Sequence, residues 1–144
     1  MSSENKALVQ RWFDEVWNHG RVEAIDELLA PDSLVHGLGE GEMRGAAAFK
    51  PFHAAYREAF PDVRIQIDDM VAEGDKVAFR WTGTASHRGN SLGFAATHRN
   101  VQFQGMGIIR VRDGKLVEGW NTFDQLGMLQ QLGVVQLRGP APAG

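Results

Sequence analysis

At 144 residues, 43% apolar and 23% charged, the chain has the size and composition of one folded domain rather than a disordered segment. Fifteen basic residues against eighteen acidic ones give a net charge of −3, with no basic excess to meet a nucleic-acid backbone. The absence of cysteine excludes disulfides, thiolate metal sites and a cysteine nucleophile together.

The first helix is predicted over residues 4–19. Leu8, Trp12 and Val16 form one i, i+4 row, Val9, Phe13 and Trp17 form the next, and Asn18-His19-Gly20 is a stop signal. The start carries no apolar signal core, and no stretch approaches the ~20 apolar residues of a membrane span. A cytoplasmic protein without membrane partners is therefore expected. Residues 21–30 repeat the helical pattern through Val22, Ile25, Leu28 and Leu29 until Pro31 ends it. Residues 34–45 are glycine-rich and read as irregular, with a short strand at Leu34-Val35-His36. A third helix follows over 46–60 through Phe49, Phe52, His53 and Tyr56; Pro51 implies a kink or a start near Lys50.

After Pro61 the apolar period falls to two. Val63, Ile65 and Ile67 alternate with polar residues until the phase slips at Asp68-Asp69, which a bulge explains. A turn at 73–76 leads to a strand through Val77, Phe79 and Trp81. The stretch 87–100 is a polar connection, and 101–111 and 116–123 are strands joined by the hairpin signal Asp113-Gly114. Residues 124–132 form a short closing helix. One domain over 1–137 is expected, with a frayed tail at 138–144. Helices first and strands afterwards define an α+β fold.

The Asp113-Gly114 turn also sorts side chains by face. With Arg112 opposite Lys115, Phe103, Gly105, Gly107, Ile109 and Val111 share a face with Leu116, Glu118, Trp120, Thr122 and Asp124. That face holds Trp120 and no base, so it is assigned to the interior. Gly105 and Gly107 then leave room for an indole or a ligand. Asp124 falls at the mouth of a pocket, where desolvation would raise its pKa and suit it to general acid/base work. A plain N-cap on the following helix is the competing reading.

Other signals are weak. Gly89-Asn90-Ser91-Leu92-Gly93 spells a nucleophile elbow but lacks the following helix and the later histidine. The five histidines are scattered and suggest no metal, and the glycines near Gly37 make no dinucleotide fingerprint. His36 and His87 are candidate pocket hydrogen-bonders. Trp12, Phe13, Trp17, Phe49 and Tyr56 are core residues able to line a pocket for a flat apolar ligand, and His53 lies on the same helical face. Arg80 faces away from Phe79 and Trp81, either solvated or paired with an interior acid.

The order of these features resembles a family. Its elements are the first helix, 21–30 with Pro31, Leu34-Val35-His36, Ala59-Phe60-Pro61-Asp62 and Gly74-Asp75-Lys76-Val77. They continue through Arg80-Trp81 and Asp113-Gly114-Lys115 to Trp120, Asp124 and Gln131-Leu132-Gly133. Together they are similar to the SnoaL-like polyketide cyclases, also called ester cyclases, of the NTF2-like superfamily. The resemblance implies an NTF2-like cone, an α+β barrel in which N-terminal helices pack on a strongly curved antiparallel sheet enclosing an apolar pocket. It also implies a homodimer or homotetramer and intramolecular aldol chemistry on a hydrophobic substrate, without metal or cofactor.

By the same resemblance Asp124 is the acid/base residue; His36 or His87 is the polar group expected to help stabilise the oxyanion. Trp12, Phe49, His53, Arg80, Phe103 and Trp120 are the substrate-side candidates. A non-catalytic binding or assembly module, and a hydrolase or isomerase using the same pocket, are the alternatives.

Overall fold

The structure, a computed structural model, describes residues 2–39 and 41–136; the tail expected to fray at 138–144 lies outside them. In chain order the elements are α1 (Ser2–Trp12), a π-helical segment (Phe13–Asn18), α2 (Val22–Leu28), β1 (Leu29–Gly39) and β2 (Gly41–Arg44). There follow α3 (Gly45–Ala59), β3 (Arg64–Glu73), β4 (Lys76–Ser86), β5 (Asn100–Arg112), β6 (Lys115–Phe123) and α4 (Gln125–Leu132). The strands form one six-stranded sheet in the order β2-β1-β6-β5-β4-β3, with the helices packed on it, so the α+β class holds. Two details differ from expectation. β1 runs parallel to β6, which makes the sheet mixed, and the sheet ends at β2 and β3 rather than closing into a barrel.

The two apolar rows of the first helix bury Val9, Trp12, Phe13 and Val16. Within that stretch the winding loosens: the His19 N–H donates to the Asp14 carbonyl, five residues back, at 2.8 Å. Neighbouring side chains take up the backbone groups near this wide turn. The Val16 carbonyl accepts from His53 Nε2 at 2.7 Å. Asn18 accepts from the Ile65 N–H (2.6 Å) and donates to the Ile65 carbonyl (2.9 Å), pinning the segment to β3. A period near four fits α and π winding alike, which is why the sequence showed only one helix.

Pro31 ends α2 as expected, but the chain is extended from Leu29 onward. Pro31 sits where the β1–β6 register slips, between Leu29 and Leu34, and there its missing N–H costs no ladder bond. The stretch expected to be irregular is therefore most of β1 and all of β2. α3 begins at Gly45, not near Lys50, and runs through Pro51. The bulge in β3 lies at the expected place, between Ile67 and Asp69.

One unforeseen bulge decides the site. Arg112 pairs with Lys115 and Val111 with Leu116, as the turn requires, but Arg110 then pairs with Glu118 and leaves Val117 extra on β6. One inserted residue exchanges the two faces for the rest of the strand. Gly119, Asn121 and Phe123 turn to the helices, and Glu118, Trp120 and Thr122 to the outside.

Candidate functional site

Between the helices and the inner face of the sheet lies an aromatic chamber with two lobes of about 50 Å³ each. Phe13, Trp17, Leu38 and Asn121 border both. The first lobe adds Trp12, Phe49 and Ser33, and the second adds Tyr56, Trp81, Phe103 and Phe123. The rings pack against one another: Trp12 lies 5.2 Å from Phe49, and Trp81 meets Phe103 edge-on at 5.7 Å.

Two glycines set this geometry. A Cβ on Gly105 would fall 2.4 Å from the Trp81 indole, so only glycine lets that indole lie across β5. The room foreseen beside Gly105 is thus filled by Trp81, and that beside Gly107 by the Phe79 ring. Gly37, at φ +87°, would place a Cβ 2.0 Å from the Asn121 carbonyl oxygen. Its bareness lets β1 close on β6 at the residue the lobes share.

Three polar atoms in this apolar setting are buried without a hydrogen-bond partner among the described residues: Asn121 Oδ1, Trp81 Nε1 and Ser33 Oγ. Trp81 is 5% exposed and Ser33 1%. Leaving such a group unpaired costs about 1–3 kcal/mol, and the three residues that carry these atoms all border the chamber. Among the described lining residues there is no Lys, Arg or His. Glu118 borders the first lobe, but its carboxylate binds His36 Nε2 (2.8 Å) and Arg110 Nη1 (3.2 Å) on the outer face. Tyr56 takes a hydrogen bond with Gln125, and burial raises the pKa of its phenol, which stays protonated as a donor.

The expected site residues separate. Trp12, Phe49 and Phe103 do line the chamber. Asp124 does not: the Val117 bulge leaves it exposed at the end of β6, where its Oδ1 accepts from the Gly127 N–H at 2.9 Å and caps α4. The N-cap reading is the one observed, and the interior position drawn from strand parity is corrected. Trp120 borders the first lobe from β6, but its indole lies outside at 36% exposure, stacked on His36 at 5.5 Å and beneath the Arg110 guanidinium at 5.7 Å. His36 pairs with Trp120 in the β1–β6 ladder and shares its outer face, also meeting Glu42 at 3.2 Å.

His87 is buried behind Phe60 and Phe94 without touching the chamber. Its Nδ1 accepts from the Thr97 N–H at 3.0 Å, which leaves the proton on Nε2, and burial lowers its pKa. His53 is buried and spent on Val16; burial lowers its pKa as well. Arg80 is exposed on the outer face, 3.8 Å from Asp69, and meets no interior acid. The residues missed from sequence are Asn121, Ser33 and Trp81. Trp81 had its signal, a strand indole facing glycines across the ladder, whereas Asn121 was hidden by the bulge.

An interior aromatic chamber between helices and a curved open sheet is the architecture of the NTF2-like proteins. Residues 7–132 match the sequence profile of the SnoaL-like polyketide cyclases, and the chain belongs to that family. Aklanonic acid methyl ester cyclase DnrD of Streptomyces peucetius is 29% identical over 129 residues, covering 88% of each chain. Among solved structures, AclR of Streptomyces galilaeus, described as a candidate hydroxylase, superposes with a TM-score of 0.82 at 29% identity, covering 93% of this chain and 98% of its own. IdmH of Streptomyces antibioticus, a candidate polyketide cyclase, gives 0.78 at 29% identity over 90% of this chain and 99% of its own.

Proposed function

We propose that the protein is a cofactor-free enzyme of the cyclase type that closes a ring in a hydrophobic, carbonyl-bearing small molecule by intramolecular aldol addition. The observation that carries this reading is the aromatic chamber with its unpaired polar atoms, in a chain of the cyclase family. In that reaction a carbon next to a carbonyl loses a proton, attacks a second carbonyl of the same molecule, and the new alkoxide is reprotonated. The net change is an isomerisation, which needs no redox partner.

Holding the chain folded with the reacting carbons in contact is worth about 7–11 kcal/mol at best. The Trp81 N–H, the Asn121 amide and the Tyr56 hydroxyl are the donors available to a developing oxyanion. Asp124 takes no part in this scheme, because its carboxylate faces solvent and caps α4. Proton removal then falls to solvent or a neutral group, and the pH–rate profile lacks a carboxylate limb. Lobes of about 50 Å³ are small beside the 300–1,000 Å³ of typical ligand sites, so the ring-lined walls move apart when substrate enters.

The test is incubation with aklanonic acid methyl ester, the compound in the name of the Streptomyces peucetius relative. A ring-closed product of unchanged mass supports the proposal. Binding without conversion favours a second reading, a non-catalytic small-molecule carrier, for which it speaks that, among the described residues, no ionised base points into the chamber. We also propose that the protein is cytoplasmic and self-associates through the outer face of its sheet, where Val71, Met106, Ile108 and Trp120 stay exposed. Light scattering on Ile108→Lys checks the association: a monomer is expected where the parent is a dimer or tetramer.

A further inference from the structure

We propose that His87 is an acid-sensitive latch: neutral, it holds the β4–β5 loop (residues 88–98) closed against the end of α3, and protonated, it releases the loop. This device is independent of what the chamber binds. The two halves of the loop are held differently. The first half caps α3, whose last carbonyls lack partners within the helix. The Ala59 carbonyl accepts from the Arg88 N–H (2.8 Å) and the Gly89 N–H (3.3 Å), and the Ala55 carbonyl from the Ser91 hydroxyl (2.5 Å). Gly89 sits so close that a Cβ there would lie 2.2 Å from the Glu58 carbonyl oxygen. The returning half hangs on His87 instead. The Thr97 N–H donates to the ring Nδ1 at 3.0 Å, the Phe94 ring lies 5.2 Å away, and the His98 N–H donates to the His87 carbonyl at 2.9 Å.

Protonation undoes this hold. An imidazolium donates from both nitrogens, so the Thr97 N–H loses its acceptor. Thr97 Oγ1, also 3.0 Å from Nδ1, can take the new proton, but the Thr97 N–H stays unpaired and the charge stays buried. Among the described residues no carboxylate pairs with the ring. Phe60 and Phe94 pack on it, His98 is a second base nearby, and Arg88 and Arg99 flank it in the chain. Asp62 is taken by the Ser86 N–H and lies near Arg88, while Glu58 turns its carbonyl to the loop at Gly89. Burial lowers the pKa of His87; the Gly89 backbone opposes this, and His98 adds to it. Above pH 6.5 the ring is neutral with the loop open or closed, and the hold is intact. It declines as pH falls below 6.5, because the opened ring takes up its proton first. Phe60 also walls the second lobe, so release of the loop loosens the backing of that wall.

The experiment is amide hydrogen exchange on the folded protein from pH 7.5 to 5, each rate divided by the intrinsic rate at that pH. With the opened ring titrating near 6.5, opening should become up to about thirtyfold easier at pH 5. Protection at Thr97 and His98 should therefore fall by about five- to thirtyfold, while the amides of β4 and β5 keep theirs. His87→Gln, whose side-chain oxygen can accept from the Thr97 N–H without titrating, should keep the loop closed at both ends of the range. His87→Phe, which offers no acceptor, should leave it open at both. Flat loop protection in the parent, or loss in step with the strands, overturns the proposal. So does a His87→Gln loop that still opens in acid. The wild-type series alone decides the matter if a variant fails to fold.

Discussion

The two faces of the sheet invert the usual relation between size and function. The outer face bears the larger depression, a groove of 490 Å³ lined by Met70, Ala78, Arg80, Met106, Ile108 and Trp120 among others. Its charges are mutually paired: Glu42, His36, Glu118, Arg110 and Asp75 run in one chain of contacts around Trp120. The inner face has a tenth of that volume per lobe, yet it holds three polar atoms that the protein does not satisfy. A satisfied surface suits contact with another protein surface, and an unsatisfied interior suits a ligand. Unmet hydrogen-bonding capacity, rather than volume, is what favours the inner face as the candidate ligand surface.

That contrast breaks most severely at Gly37. Gly37→Ala forces a Cβ against the Asn121 carbonyl in a backbone conformation that disfavours it. About 2–5 kcal/mol of stability should be lost, read by urea denaturation. A loss under 0.5 kcal/mol would show that the β1–β6 closure over the chamber is slack. Next in size is Asn121→Asp, which buries a carboxylate without a cation. It should cost about 2 kcal/mol at pH 7.5. Burial raises the folded-state pKa of the new acid, so the deficit should shrink as pH falls toward the unfolded-state value and grow as pH rises through the folded one. A pH-independent penalty would place residue 121 in water.

How much of this was legible beforehand follows from particular residues. The helices, the β3 bulge and the Asp113-Gly114 turn were readable because apolar period and turn chemistry are local. The inner register of β6 was not, because Val117 follows Leu116 in an ordinary strand pattern and nothing in that pattern marks the extra residue. That single insertion carried Trp120 and Asp124 out of the chamber and Asn121 into it. β1 was missed for a related reason: strands on both sides stabilise a glycine-rich segment whose own propensity is poor.

Smaller effects sharpen the comparison. His53 and His87 are buried with pKa values pushed below the ordinary 6.5 by desolvation. Folded and unfolded states are both neutral above that pH, where their contribution is intact; it declines as pH drops below 6.5 and the unfolded chain takes up protons first. A thermal melt series from pH 7.5 to 5 should show that decline, and His53→Gln should flatten it. An identical slope in the variant would remove His53 from the account.

Smallest of all are Glu118→Gln and Asp124→Asn. The first loosens a part-exposed ion-pair network, worth up to about 1 kcal/mol. The second keeps a competent N-cap and should change stability by less than about 0.5 kcal/mol. Neither should alter turnover, and loss of turnover in Asp124→Asn would restore that carboxylate to the chemistry.

The four tryptophans give the most direct test, because Trp12, Trp17 and Trp81 line the chamber while the Trp120 indole lies on the outer face. Indole N–H resonances, assigned by single Trp→Phe variants, are followed while 1-tetralone is titrated in. The Trp81 signal should move furthest, with Trp12 and Trp17 following and Trp120 staying in place. Movement of Trp120 with the other three unchanged would put the ligand in the outer groove and contradict the account.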